Sequence, residues 1–376
     1  MTTVDHHSAK PLNGVRVLEL AGLGPVPYAG QLLADMGAEV ISVARKGQPS
    51  HPVEDRGKRS LVLNLKNPTA KDAILKLVEQ VDVLIEGYRP GVTERLGIGP
   101  SECLQRSPGL VYGRMTGWGQ QGPWSQMAGH DINYIGLTGV LNAMGKEGQV
   151  PQPPLNLVGD YGGGSLFLVS GVLAALVSAQ TSGKGRVLDV AMIDGSLSMF
   201  GLMLSMHAEG SWSTTRSSNM LDGSAPFYRC YRCSDDRFMA VGALEPVFFK
   251  KMLELLDIDA ADYGEQYDKK QYTQQNALLE STFAKKSRDS WAKIFDGSDA
   301  CVTPVLDYVE AGDHPHMKAR NALIEHNDVL HPNIAPRFSG LDFSPPDTPS
   351  RGMHTRELLE ELNLPHDVID TLLEDA

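Results

Sequence analysis

The sequence is poor in cysteine, in net positive charge and in signal-like or membrane-anchoring apolar runs. Four cysteines stand among 376 residues, and the formal net charge is −12. Because a phosphate backbone requires a basic face, this acidic balance excludes nucleic acid as the expected partner. Residues 1–10 are polar, and we judge no apolar run long enough to span a bilayer. We therefore expect neither a nucleic-acid partner nor a membrane span.

The cysteines do not form a metal-binding pattern. Cys230 and Cys233 have the spacing of a metal or redox pair, but residues 227–233 are predicted to form a strand. Side chains three positions apart on a strand point to opposite faces. No second Cys or His pair follows at zinc spacing. We expect all four cysteines, including Cys103 and Cys301, to be free thiols in a reducing compartment, and we expect no metal.

Bulk composition is that of an ordinary globular protein, with 41% hydrophobic and 21% charged residues. A chain of 376 residues is long enough for two domains. The final residues are not a peroxisomal signal of the Ser-Lys-Leu type, so we expect the cytoplasm. A local basic excess could receive a small phosphorylated molecule or form a solvated mixed face, and it consists of Arg45, Lys46, Arg56, Lys58, Arg59, Lys66, Arg89 and Arg95.

The first 120 residues alternate between short apolar runs and helical patterns. Runs at 15–20 and 39–43 flank a helical pattern at 28–36, which predicts a β-α-β unit. Further strands are predicted at 60–65, 82–86 and 110–114, with an amphipathic helix at 69–80 between the first two. We predict a Rossmann-like, doubly wound α/β domain. Its first turn holds only Gly22-x-Gly24 of the dinucleotide fingerprint, which disfavours nicotinamide binding.

Two helices are predicted in the middle of the chain. Residues 166–179 are apolar on nearly all sides, which indicates a buried helix. A helix at 194–207 would place Met199, Met203 and Met206 on one face, with Met192 just before it. That stripe is either ordinary core or a deformable surface for acyl chains.

The second half indicates a smaller α/β domain. Residues 210–224 are polar and rich in turns, and we predict a hairpin at 227–241 and helices at 246–256, 279–283 and 288–295. Residues 313–349 are expected to be extended, and helical segments are predicted at 356–362 and 366–374. We predict a large domain at 1–209 completed by 325–376, a linker at 210–224, and a small domain at 225–324.

Two motifs carry titratable groups that suit proton transfer. Residues 129–134 (Gly-His-Asp-Ile-Asn-Tyr) offer a histidine beside a carboxylate, and residues 156–165 (Asn-Leu-Val-Gly-Asp-Tyr-Gly-Gly-Gly-Ser) offer a carboxylate at a glycine-rich turn. Such a pair could take a proton from one face of a carbon and return it to the other. Alternatively, His130 is a capping or surface residue and Asp160 a helix N-cap.

Together with further segments, these motifs resemble the family III CoA-transferase superfamily and, within it, the α-methylacyl-CoA racemases. The matching segments are 12–19 (Leu-Asn-Gly-Val-Arg-Val-Leu-Glu), 85–97, 115–123, 242–246 (Gly-Ala-Leu-Glu-Pro) and 299–305. In the transferases, the aspartate that matches Asp160 is a nucleophile, and a histidine at the position of His130 is typically lacking. The intact Gly-His-Asp-Ile-Asn-Tyr motif favours the racemases.

The resemblance implies a racemase that interconverts (2R)- and (2S)-2-methylacyl-CoA through an enolate. It implies His130 and Asp160 as the two acid/base groups. Glu245, from the second subunit of an interlocked homodimer, would hold the imidazole of His130. Asp131 would hydrogen-bond into the site, and its backbone N–H could face the enolate oxygen. No cofactor is implied, because coenzyme A is part of the substrate.

The resemblance also implies a CoA path, lined by Arg45, Leu63, Asn64, Leu65, Lys66, Gly87, Tyr88, Arg89, Arg95 and Tyr134. Arginine recognises phosphate in a bidentate manner, which fits this use. Two alternatives stay open: a CoA-transferase with Asp160 as nucleophile, and a non-catalytic acyl-CoA-binding protein.

Overall fold

The computed structural model describes residues 10–20, 22 and 24–375, which divide into two units. Residues 10–138, 154–199 and 318–375 form the first unit, and residues 139–153 and 200–317 form the second. The predicted domain bounds stay a prediction. The main difference is that residues 139–153 and 200–209 group here with the second unit.

Eleven strands are formed by the described residues: β1 Arg16–Leu20, β2 Glu39–Ala44, β3 Arg59–Val62, β4 Val83–Glu86, β5 Val111–Thr116, β6 Arg186–Ala191, β7 Tyr228–Arg232, β8 Phe238–Gly242, β9 Val302–Pro304, β10 Leu323–His326 and β11 Val329–Pro332. The α-helices are α1 Pro25–Asp35, α2 Pro68–Val78, α3 Val92–Arg95, α4 Pro100–Arg106, α5 Asp131–Leu137, α6 Phe167–Ser182, α7 Met192–Met199, α8 Gly201–Ala208, α9 Pro246–Leu256, α10 Ala260–Tyr263, α11 Tyr272–Phe283, α12 Arg288–Phe295, α13 Tyr308–Asp313, α14 Pro315–Ala319, α15 Thr355–Glu361 and α16 His366–Glu374.

The first unit is built on a parallel sheet of order β3-β2-β1-β4-β5-β6. Successive strand residues alternate between two cores: Val17 belongs to one cluster and Leu18 to the other. Helices α2, α15 and α16 contribute to one core, and α1 and α6 to the other. The predicted doubly wound α/β fold is therefore confirmed. Its strand order reverses between β1 and β4, the place where such sheets open a ligand crevice.

Asp160 lies in a π-helix, Leu157–Leu166, which continues directly into α6. The π-helix packs so closely against α7 that α7 requires glycine at position 195. A Cβ on Gly195 would lie 2.0 Å from the carbonyl oxygen of Gly163 in the π-helix. The π-helix is a rare form that often marks functional sites.

Two expectations about the apolar helix at 166–179 are wrong. The continuous helix Leu157–Ser182 is long and apolar enough to span a bilayer, with a mean hydropathy of 1.8. A single such helix is weak support for a membrane span, because the core helix of a soluble protein has the same length and composition. Nor is α6 buried on all sides: Leu168 and Val172 pack in the core, whereas Val177 is exposed.

The predicted helix at 194–207 is interrupted. Phe200, with ψ near 3°, leaves the helical conformation before Gly201 and separates α7 from α8. Met199 therefore ends one helix, whereas Met203 and Met206 belong to the next. The predicted single methionine face does not form.

The second unit contains an antiparallel sheet of order β7-β8-β9 over a core of its own. The predicted hairpin and the helices α9 and α12 are present, and Cys230 is exposed whereas Cys233 is buried.

The expectation of extended chain over 313–349 is wrong in part, because residues 315–319 form the helix α14; residues 323–332 are extended, but as the paired strands β10 and β11 of a hairpin in the first unit. The hairpin turn is Asn327-Asp328, and both residues have positive φ, as a type I′ turn requires.

Candidate active site

A cavity of about 400 Å³ opens at the carboxyl ends of the parallel strands in the first unit. Gly22 and Gly24 follow β1, Gly87 to Pro90 follow β4, and Gly117 and Trp118 follow β5. Both His130 and Asp160 line this cavity. The fold thus brings together, at the switch point of the sheet, two motifs that lie about thirty residues apart in the sequence.

His130 is the exposed N-cap of α5. Its backbone N–H donates to Asn133 Oδ1 at 3.0 Å. The preceding peptide is fixed as well, because the Tyr134 hydroxyl donates to the carbonyl oxygen of Gly129. The Tyr134 ring packs edge-on against Trp118, with 4.8 Å between centroids. The backbone that carries the imidazole is therefore supported by the packed rings of Tyr134 and Trp118.

Asp131 holds the second motif in place. Its buried carboxylate accepts hydrogen bonds from the backbone N–H groups of Gly159, at 2.6 Å, and Asp160, at 2.8 Å, through the same oxygen, Oδ2. A Cβ on Gly159 would lie 2.7 Å from that oxygen, so glycine is required there. The side chain of Asp131 thus acts on Asp160 through the backbone.

Burial raises the pKa of Asp160 to about 6, and the negative charge of Asp131 adds to the increase. A side-chain hydrogen bond from Asn156 and the charge of His130 oppose it. A carboxyl group with a pKa of about 6 holds a proton in a substantial fraction of molecules near neutral pH. Such a group can act as an acid or as a base, which is what a reversible proton transfer needs.

The predicted CoA-binding residues do not all reach the cavity. Gly87, Tyr88, Arg89 and Tyr134 line it. Five others lie outside its lining. Four of these are exposed, namely Arg45, Asn64, Lys66 and Arg95, and Leu65 is half-buried. Leu63 is buried in the hydrophobic core, with 1% of the residue exposed. Their use by CoA stays a prediction.

Two members of the predicted basic excess cannot receive phosphate. Lys58 is buried against Glu19 at 2.8 Å, and Arg56 is buried against Asp35 at 2.6 Å. A third member, Arg59, bonds the exposed or partly exposed carboxylates Glu39, Glu357 and Glu361. That Arg56 and Lys58 receive phosphate or lie on a solvated face is therefore wrong, because each is buried and already paired with a buried carboxylate.

Glu245 lies in the second unit, where it is the exposed N-cap of α9. Its predicted action on His130 stays a prediction. Among residues 10–20, 22 and 24–375, no three His, Cys, Asp or Glu side chains gather as a metal site requires.

Four residues that line the cavity or contact Asp160 are absent from the predicted catalytic and CoA-binding residues. Trp118 and Met192 line the cavity, and Asn156 acts on Asp160. Gly24, with φ of 85°, begins α1 where a Cβ would lie 3.7 Å from Asp160 Oδ2. Trp118 and Asn156 lie in segments that resemble the family, and this is the sequence signal that could have identified them. Met192 was noticed only as part of a stripe.

CoA-transferase family III matches residues 12–355 of this chain. The chain therefore belongs to this family, which confirms the resemblance found in its motifs. It is similar to the alpha-methylacyl-CoA racemases of Mus musculus, at 42% identity, and Homo sapiens, at 39%, each over 97% of this chain and 96% of the relative. The crystal structure of a CAIB/BAIF family protein from Brucella suis superposes with a TM-score of 0.80 at 25% identity, covering 94% of this chain and 100% of that one.

A more distant relative carries a transferase name. The acetyl-CoA:oxalate CoA-transferase of Acetobacter aceti is 29% identical over 88% of this chain and 90% of its own length. The family thus includes both of the activities that the sequence left open.

Proposed function

We propose that this protein is a racemase that interconverts the (2R) and (2S) forms of 2-methylacyl-CoA thioesters. The observation that carries the proposal is that His130 and Asp160 open into one cavity of the fold. The similarity to two curated racemases over nearly the whole chain supports it. Burial also gives Asp160 a pKa of about 6, which suits exchange of a proton.

The reaction is a proton transfer from one face of a carbon to the other. Neutral His130 takes the α-proton of one enantiomer, and the electron pair of the broken C–H bond moves into the thioester carbonyl to give an enolate. Protonated Asp160 then delivers its proton to the opposite face, and the carbonyl forms again. The product leaves His130 protonated and Asp160 ionised, which is the state that starts the reverse reaction.

Neighbouring groups would support this transfer. The backbone N–H of Asp131 would donate to the enolate oxygen, and Arg89 at the cavity would face the phosphates of CoA. Glu245 of a second copy of the chain would hold the imidazole. No separate cofactor is needed, because the thioester itself acidifies the α-carbon.

Isotope exchange tests the proposal. Single enantiomers of a 2-methyl-branched acyl-CoA are incubated with the protein in deuterium oxide and followed by proton NMR and chiral separation of the released acids. We expect α-deuterium to enter both enantiomers together with loss of optical purity. Absence of exchange with every branched thioester tried would refute the racemase.

A CoA-transferase with Asp160 as nucleophile is the second candidate, because the relatives include transferases and Asp160 is accessible from the cavity. That activity would give CoA transfer that depends on an acceptor acid, and an adduct on Asp160 that hydroxylamine traps. His130→Ala should abolish racemisation but spare such transfer.

We also propose that the protein is a homodimer of interlocked subunits in the cytoplasm. Large apolar side chains exposed on both units support a partner surface, among them Leu166, Val177, Leu197, Leu202 and Leu204. The cytoplasmic location rests on the sequence observations alone.

A further inference from the structure

The residue after Asp160 is anchored at two places outside its own helix. The hydroxyl of Tyr161 donates to Glu54 Oε1 at 2.7 Å. The Tyr161 ring packs on Tyr28 of α1, with 4.4 Å between centroids and 32° between planes. All three side chains are half-buried. Tyr161 therefore ties the π-helix both to α1 and to the segment before β3.

These contacts complete a frame around Asp160. On one side, Asp131 accepts the backbone N–H groups of Gly159 and Asp160. On the other side, Tyr28 belongs to the helix whose first residue follows Gly24, the glycine nearest Asp160 Oδ2. The Tyr161 ring, which packs on Tyr28, and the Ser165 hydroxyl, which donates to the carbonyl oxygen of Pro25 at 2.7 Å, both link α1 to the π-helix. Neither Tyr161 nor Glu54 lines the cavity that holds His130 and Asp160.

The segment that follows Tyr161 has no side chains of its own over three residues. Residues 162–164 are three consecutive glycines, which have no side chains to anchor and the greatest conformational freedom. Side chains therefore restrain this segment on either side of the glycines: Tyr161 before them, and Ser165 after them, whose hydroxyl donates to the carbonyl oxygen of Asp160 at 3.2 Å. A catalytic carboxyl displaced by as little as about 1 Å can lose about 100-fold in rate.

We propose that the Tyr161–Glu54 hydrogen bond, supported by the Tyr28 ring, is a positioning device for Asp160. Tyr161 and Glu54 are positioning residues, since neither touches the cavity. The inference rests on the proposed racemase. The inference predicts that only Asp160 depends on the Tyr161–Glu54 hydrogen bond. The segment of His130 is supported separately, by Tyr134 and Trp118.

That selectivity can be measured. An enantiomer whose α-hydrogen faces His130 can exchange it with solvent and keep its configuration using His130 alone. The opposite enantiomer exchanges in the same way using Asp160 alone, whereas racemisation needs both groups. Loss of Asp160 positioning should slow racemisation and one of the two retention exchanges, and should leave the other unchanged.

The test uses Tyr161→Phe, which removes only the hydroxyl and keeps the ring on Tyr28. We expect the kcat for racemisation to fall about 5- to 30-fold, with KM changed by less than about twofold. We expect the retention exchange on the Asp160 face to fall in parallel and that on the His130 face to stay at the wild-type rate.

A double-mutant cycle identifies the partner. Glu54→Ala should reproduce Tyr161→Phe, Glu54→Gln should restore most of the rate because its amide oxygen still accepts, and the double variant should lose no more than either single variant. Tyr112→Phe is the matched control: it removes a buried tyrosine hydroxyl bond, to the Ile98 carbonyl oxygen, away from the cavity. It should lower thermal stability without changing kcat.

Two results would overturn the inference: wild-type kcat in both Tyr161→Phe and Glu54→Ala, or an equal decline of both retention exchanges. If Tyr161→Phe does not fold, Glu54→Ala decides alone. Failure of the wild-type protein to exchange any α-hydrogen would instead refute the racemase itself.

Discussion

Asp131 and Asp160 are the same residue type within one site, yet their surroundings separate their tasks. Asp131 is buried and accepts two backbone N–H groups, so its charge is used to hold structure. Asp160 opens into the cavity, where burial and the charge of Asp131 raise its pKa to about 6. Pairs of acids whose environments differ in this way commonly divide structural and proton-transfer roles.

The pKa of Asp160 should be visible in the pH dependence of its own exchange reaction. In His130→Ala, retention exchange on the Asp160 face requires ionised Asp160 as the base. The rate should therefore rise with pH and level off above an inflection near pH 6, or slightly higher, because His130 lowers this pKa in the wild type. Deuterium uptake measured between about pH 4.5 and 8.5 gives the profile.

Asp131→Asn on the same background tests the contribution that the Asp131 charge adds to the effect of burial on the pKa of Asp160. The amide oxygen can still accept both N–H groups, but the negative charge is lost. A neighbouring negative charge raises a carboxyl pKa, so its removal must lower the pKa, and the inflection should move to lower pH. An inflection that stays in place, or moves to higher pH, would contradict the electrostatic account.

Residue roles were predictable to different degrees. His130 and Asp160 were predictable because each lies in a short motif that resembles the family, and both line the cavity. Arg56 and Lys58 were wrongly grouped with ligand-binding cations, because their buried partners, Asp35 and Glu19, lie in other segments. Charge counts along a sequence do not show which cations are already paired in the fold.

Helices and strands were also predictable to different degrees. The parallel sheet followed from apolar runs of strand length, because those runs are buried on both faces. The π-helix could not be predicted, since its form accompanies the close contact of Gly163 with Gly195 of α7, a long-range contact. The β10–β11 hairpin was missed although Asn327-Asp328 is a turn signal.

The contact between the π-helix and α7 should be intolerant of a single methyl group. A Cβ on Gly195 would lie 2.0 Å from the Gly163 carbonyl oxygen, and backbone there cannot give way cheaply. Gly195→Ala should lower the free energy of unfolding by at least about 2 kcal/mol. Because the displaced segment carries Asp160, kcat for racemisation should fall at least about tenfold. Urea unfolding and steady-state kinetics measure the two effects.

Gly201→Ala is the matched control, since Gly201 begins the next helix and a Cβ there meets nothing within 4 Å. It should change stability by less than about 1 kcal/mol and leave kcat unchanged. Equal stability of the two alanine variants would show that the glycine contact does not constrain the π-helix.

Large apolar side chains are exposed on both units of the chain. One face of α6 exposes Val177, and α7 and α8 expose Leu197, Met199, Leu202 and Leu204. The apolar pattern of residues 166–179 predicted a buried helix. Composition alone does not show whether an apolar side chain packs inside its own chain or against another chain. Exposed apolar side chains on each unit are what the homodimer proposed above would require.

Mixed dimers test whether two copies share one catalytic centre. His130→Ala and Glu245→Ala are each expected to be inactive as homodimers, because one lacks the base and the other the group that holds it. If Glu245 acts on the His130 of the other copy, a heterodimer of the two variants contains one centre with both residues intact. Co-expression with two different affinity tags gives that heterodimer, and its racemisation rate should be about half that of the wild-type dimer.

The opposite geometry gives a different number, which makes the experiment decisive. If Glu245 acts within its own chain, every centre of the heterodimer lacks one residue and no activity returns. If Glu245 does not act on His130, the Glu245→Ala homodimer is itself active, and that result refutes the role of Glu245 before any heterodimer is made. The Tyr112→Phe variant, paired with wild type in the same two-tag expression, controls for losses caused by tagging and exchange of subunits. Half activity in the heterodimer, with both homodimeric variants inactive, would require a shared centre, because no arrangement within one chain restores an intact pair.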